Sequence, residues 1–196
     1  KNGIANYFSN IGVLYHDQNN LKKALECHLK ALRMNGELQN KNRIAMNLSN
    51  IGNIYNDQNN YQKALEYYFK ALKMDEEVKR KNGIAIALSN IGNIYVRQND
   101  YPKALEYYFK ALEMSKKLQD KNVIAINLGN IGVVYEYQKD HLKALNYFLK
   151  ALKMNEELQN KNRIAINFGN IGVIYECQNH YPKALQYHFK AFKINK

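Results

Sequence analysis

The chain has 196 residues, 46% of them hydrophobic, and a formal net charge of +12. That apolar share is enough for a packed core, yet no run of about 18 apolar residues occurs, which excludes helical insertion into a membrane. The basic balance leaves anionic partners open, while the two cysteines, Cys27 and Cys177, lie near opposite ends, which argues against an intrachain disulfide and for a cytoplasmic setting.

Read from Lys1, the chain shows a period. Asn-Ile-Gly recurs at 10–12, 50–52, 90–92, 130–132 and 170–172, forty residues apart each time, and Lys-Ala-Leu keeps the same step from Lys23 to Lys183. The expectation is one array, 1–196, of five copies at about 1–40, 41–80, 81–120, 121–160 and 161–196. Because the chain opens inside a repeat, it is expected to be a fragment of a longer one. Each copy reads as two helices. In the first copy, Gly36 weakens the end of the second helix by about 1 kcal/mol relative to alanine. In the second, Ile44, Leu48, Ile51 and Tyr55 fall at i, i+4, i+7 and i+11, one apolar stripe. Leu65, Tyr68, Ala71, Leu72 and Met74 make the stripe of its second helix, and "DQNNY" between the two carries turn and capping residues. In the third and fifth copies Pro102 and Pro182 stand in the first turn of the second helix, where a missing N–H costs nothing. Asn40, Asp120 and Asn160 are candidate N-caps for the following first helices, with Asn42, Asn122 and Asn162 as rivals. No sustained two-residue alternation appears, so no sheet is expected.

Glycine inside a helix is a cost, yet Gly12, Gly52, Gly92, Gly132 and Gly172 recur there. A repeated cost needs a repeated benefit, so the second helix of each pair must come close at that point. Ala24, Ala64, Ala104, Ala144 and Ala184 are the expected partners. His28 and His188 occupy the register of Tyr68, Tyr108 and Phe148 and read as packing residues.

Leu48, Ile51-Gly52, Tyr55, Tyr61, Ala64, Tyr68 and Ala71 resemble the tetratricopeptide repeat, and the pattern covers the whole chain. Two departures stand out. Phe8, Leu48, Leu88, Leu128 and Phe168 fill the place of the usual tryptophan, and the period is longer than the common repeat of about 34 residues, with Glu76 where many members have proline. Such long repeats are similar to those of kinesin light chains, spindle-orientation scaffolds and bacterial peptide-pheromone receptors. The resemblance implies an all-α, right-handed solenoid of five helix-turn-helix repeats. It implies as well that the first helices line a concave groove for an extended peptide or a helix of a partner protein.

The chemistry of catalysis is missing from the pattern. There is no His-x-x-x-His, no Cys-x-x-Cys and no phosphate-binding glycine loop. No enzyme activity, metal, cofactor or small-molecule substrate is expected. Lysines recur seven apart on the second helices, at Lys23 and Lys30, Lys63 and Lys70, and onward. A basic ridge attracts nucleic acid, but Glu26, Glu66 and Glu106 precede Lys30, Lys70 and Lys110 by four, the favourable order for a solvated helix face. Nucleic acid is therefore not the expected partner.

The sites that line the groove by resemblance are Asn10, Asn50, Asn90, Asn130 and Asn170, which never change, and a variable set that includes Asn53, Asn93, Asp57, Arg97 and Glu136. An asparagine amide both donates and accepts, so a row of them suits an extended backbone. The alternative is that the same row bonds neighbouring helices and fixes repeat stacking, or owes its constancy to recent duplication. Asp17 and Asp57 toward one end and Glu136 and Glu176 toward the other predict a guest with basic ends. The functional expectation is a protein-interaction scaffold that binds a peptide through this asparagine ladder. The alternative is a regulatory or sensor module of a larger protein whose enzymatic or DNA-binding domain lies outside this chain. End-to-end self-association stays open, because no polar capping helix follows the last copy.

Overall fold

The computed structural model describes residues 2–194; the readings above that rest on Lys1 and Lys196 lie outside them. Ten helices follow one another in pairs: α1 (Asn2–Asp17), α2 (Leu21–Glu37), α3 (Lys41–Asp57), α4 (Tyr61–Glu77), α5 (Lys81–Arg97), α6 (Tyr101–Lys117), α7 (Lys121–Tyr137), α8 (His141–Glu157), α9 (Lys161–Cys177) and α10 (Tyr181–Ile194). Among the described residues there is no strand. This is the all-α helix-turn-helix repeat that the apolar stripes predicted. The chain forms two compact units, Lys1–Asp100 with α1 to α5 and Tyr101–Lys196 with α6 to α10.

The links between helices share one geometry. Each contains a residue in the left-handed region: Asn19, Gln39, Asn59, Lys79, Asn99, Gln119, Lys139, Gln159 and Asn179, with φ from 51° to 60°. None is glycine. After α1, the Asn20 N–H reaches the Tyr15 carbonyl at 2.8 Å and the Asn19 N–H the His16 carbonyl at 2.8 Å. That pair of hydrogen bonds is a Schellman closure, which satisfies carbonyls the helix end would leave bare. The next helix starts at once, because the third link residue caps it. Asn40, Asp120 and Asn160 accept from the N–H groups of Arg43, Val123 and Arg163, as the sequence suggested, and Asn20, Asn60 and Asp140 do the same for second helices. Arg80 breaks the series and gives α5 no side-chain cap. Its guanidinium turns instead to Asp75, with Nε to Oδ1 at 2.6 Å; the Asp75 side chain is 1% exposed, and its Oδ2 lacks a partner.

In the first unit each helix packs on the next, and α3 also touches α1 and α5. The helical glycines lie at close contacts, but the groups that meet them are rings and not the expected alanines. A Cβ at Gly12, Gly52, Gly132 or Gly172 would come within 2.6 to 2.7 Å of the ring of His28, Tyr68, Phe148 or His188. The ring lies against the bare backbone, and the alanines, Ala24 to Ala184, are buried beside it. In the second unit the core gathers Phe148, Leu152, Ile171 and Ile174, with Phe168 and Tyr187 packed around them. Toward the outside, tyrosines of adjacent helices stack: Tyr55 on Tyr67, Tyr135 on Tyr147 and Tyr175 on Tyr187, at centroid separations of 5.4, 5.5 and 5.6 Å. Lysines of the second helices lie over these rings, Lys63 over Tyr55 and Lys70 over Tyr67 among them, at 5.1 and 5.2 Å. The recurrent lysines thus bury their stems on aromatic faces while their ammonium groups stay wet.

Candidate functional site

Two cavities occupy equivalent places in the two units. In the first unit, Ser9, Asn10 and Val13 of α1 and Arg43, Met46, Asn47 and Asn50 of α3 enclose 80 Å³. In the second, Asn130 and Val133 of α7, Asn155 of α8 and Arg163, Asn167 and Asn170 of α9 are among the residues around 120 Å³. The asparagines read from the sequence are therefore brought together in pairs, Asn10 with Asn50 and Asn130 with Asn170. Asn90 lies half-buried on α5, in neither cavity.

Two classes of asparagine occur on the first helices. Asn47, Asn127 and Asn167 are buried. The Asn47 and Asn127 amides donate to the Arg43 and Val123 carbonyls one turn back, each at 2.9 Å. The Asn47 carbonyl is also occupied, by the Ser9 hydroxyl at 3.0 Å and the His28 ring at 3.3 Å. By contrast, Asn10 is exposed and Asn50, Asn90 and Asn170 are half-buried, and among the described residues their side chains make no hydrogen bond.

The variable sites are more engaged. Asn53 accepts from the Tyr68 hydroxyl at 2.7 Å, which leaves its two N–H donors and one lone pair. Asp57 is met by the His16 imidazole at 2.7 Å and Glu176 by His188 at 3.1 Å, so two of the acidic positions are already paired. Asn93 and Arg97 are exposed. Glu136 is half-buried, and loss of water pushes its carboxyl above the usual range, against the pull of the nearby His141.

Sequence reasoning missed Arg43 and Arg163. They stand at the same place in the second and fifth copies, where the third and fourth have Gly83 and Val123. Among the described residues neither guanidinium has a hydrogen-bond or ion-pair partner. Asn155 was missed as well: it is buried, it lines the second cavity, and its Oδ1 is without a partner. Comparing position 43 across the copies would have found the arginines. Asn155 comes from another helix, and the signal that could have found it is the polar register of Asn35, Asp75 and Ser115 in other copies. The arrangement can hold a chain that offers backbone amides and carbonyls to the asparagines and carboxylates to the arginines. Among the described residues no group of three or more His, Cys, Asp or Glu could hold a metal ion, and no helix is long and apolar enough to cross a membrane.

A family model described as tetratricopeptide repeat matches residues 43–117 and 123–196, and a second of the same description matches 4–38. Similar solved structures include BtubC (BKLC) from P. vanneervenii, 22% identical over 99% of this chain and 80% of that one, with a TM-score of 0.87. A Rap protein complexed with competence and sporulation factor is 19% identical over 97% of this chain and 53% of that one, at 0.85. A signal transduction ATPase with numerous domains and a tetratricopeptide repeat sensor, from Pyrococcus horikoshii, is 21% identical over 97% of this chain and 30% of that one, at 0.84. No curated protein matches the sequence significantly.

Proposed function

Since the chain belongs to the tetratricopeptide repeat family, we propose that it is a non-catalytic protein-interaction module that holds an extended segment of a partner along its first helices. Asn10, Asn50, Asn90, Asn130 and Asn170 bond the guest backbone, and Asn53, Asn93, Asp57, Arg97 and Glu136 tune which side chains are accepted. Arg43 and Arg163 take carboxylates of the guest. The observation that carries the reading is the contrast between the two classes of asparagine. Asn47 and Asn127 spend their amides inside the fold, so stacking of the repeats has its own asparagines. The amides of Asn10, Asn50, Asn90 and Asn170 are left with nothing to bond among the described residues. Unspent amides at half-buried positions favour a ligand that supplies the missing partners. One similar structure holds a bound factor and another uses such repeats as a sensor, which fits this reading. The free arginines add to the expected guest: acidic residues should be favoured near both cavities, beside the basic ends expected from Asp17, Asp57, Glu136 and Glu176.

The test is to pan a random peptide library against the chain and measure the selected peptides by fluorescence anisotropy. Asn50→Ala and Asn170→Ala should each weaken binding by about 1 kcal/mol, roughly fivefold, with helicity and melting temperature unchanged. A lowered melting temperature with unchanged affinity would instead assign these asparagines to repeat stacking.

A further inference from the structure

The face of α7 opposite its asparagine forms the floor of a larger cavity. It measures 470 Å³ and lies between α6 and α8, with Phe109, Leu112, Ile124, Leu128, Tyr147 and Met154 as its apolar lining. Such an opening on a helical repeat calls for an explanation, because contiguous apolar surface on soluble proteins commonly marks a site of contact. Its rim is cationic. Lys116, Lys150 and Lys153 stand around it with a single acid, Glu157, whose carboxylate is already held by Lys121 at 2.8 Å. Lys150 lies over the Tyr147 ring at 5.1 Å, so its stem forms part of the wall. Lys116 pairs with no acid among the described residues. The register of Lys116 holds Gly36, Glu76 and Glu156 in other copies, so this rim is not a uniform property of the repeat.

We propose that this outer cavity is a second docking site, for an acidic segment of a partner protein that inserts one bulky apolar side chain between α6 and α8. Carboxylates on either side of that anchor meet Lys116 and Lys153. Shape and charge argue together for this guest. An anchor in a pocket supplies most of the energy of such contacts, and the charged rim selects and steers. A flat bilayer surface does not reach into a recess between two helices, whereas a single side chain does. The inference is independent of the asparagine ladder, which lies on the other side of α7.

The experiment uses the full chain and a fluorescein-labelled peptide with a central Phe-Leu pair flanked by glutamates, against a second peptide with lysines in their place. The glutamate peptide should bind more tightly. Lys116→Glu with Lys153→Glu should weaken it by about tenfold and reverse the preference, whereas Lys22→Glu with Lys161→Glu, the same change of net charge elsewhere, should shift it by less than about twofold. Phe109→Ala should weaken both peptides. Equal losses in the two charge-reversed chains would reduce the effect to net charge and overturn the proposal. So would binding that survives at Lys116→Glu with Lys153→Glu. If phosphatidylserine vesicles sediment with the chain through these lysines while neither peptide binds, the site is a lipid site and the proposal also falls.

Discussion

At position 28 an imidazole takes the place that Tyr68 and Phe148 hold in later copies, flat against a helical glycine and 1% exposed. Burial holds its pKa below the ordinary value; the Asn47 hydrogen bond opposes this, and nearby His16 adds to it. The unfolded chain takes up a proton there near pH 6.5, while the folded chain stays neutral. Protons that only the unfolded state accepts favour unfolding, so stability should fall as pH drops through that value. We expect His28→Phe to hold its melting temperature better than the parent between about pH 6.5 and 5. Melting curves that shift in parallel over that range would show that His28 is not a neutral core residue. Asp75 is the other buried group of consequence. Its one strong partner is Arg80, and Oδ2 has none. Arg80→Ala should destabilise by up to about 3 kcal/mol, since it strands a buried carboxylate. Asp75→Asn in that background should restore most of the loss, because Asn35 and Asn155 already serve at that place in other copies. Failure of that rescue in urea denaturation would mean that Arg80 acts through something other than the pair.

At the scale of the helix and its link, nine non-glycine residues adopt left-handed backbone. Such a residue pays steric strain that glycine does not, and Lys139 in the second unit has φ 60° and an exposed side chain. Lys139→Gly should raise stability by up to about 1 kcal/mol, less the extra entropy glycine has when unfolded. A lower denaturation midpoint would show that the lysine stem contributes packing. The helices themselves were legible from the stripe Ile44, Leu48, Ile51 and Tyr55, and three of the caps from Asn40, Asp120 and Asn160. More than half of the left-handed links were not: Asn19, Asn59, Asn99 and Asn179 are residues that tolerate that conformation, whereas Gln39, Lys79 and Gln119 carry no local signal for it. The paired closing hydrogen bonds at the end of the preceding helix impose it. The same division runs through the candidate site. Forty-residue spacing placed Asn50 and Asn130 on one face of their helices. It did not show that Tyr68 reaches from α4 to claim Asn53, or that Asn155 of α8 enters a cavity between α7 and α9, because both depend on packing between elements.

For the molecule as a whole the surplus of positive charge is the dominant long-range force. A net +12 repels itself, whereas the exposed pairs, such as Lys70 with Glu66 and Lys117 with Glu113, are local and easily screened. We expect the melting temperature to rise as salt increases from about 0.02 to 0.3 M, where the screening length drops below about 10 Å. A fall over that range, followed by far-ultraviolet circular dichroism, would mean that the surface pairs outweigh the repulsion. The stacked tyrosines carry an optical consequence. Sixteen phenols and no indole give this chain a long-wavelength aromatic band that belongs to tyrosine alone, beyond the weak absorption of phenylalanine. Where two of them lie face to face, their transitions couple, and the ellipticity of the aromatic band reports the stack directly. Tyr175→Phe silences the pair with Tyr187 and leaves those of Tyr55 and Tyr135 intact, so a set of such changes lets light follow the second, fourth and fifth repeats separately, without a dye.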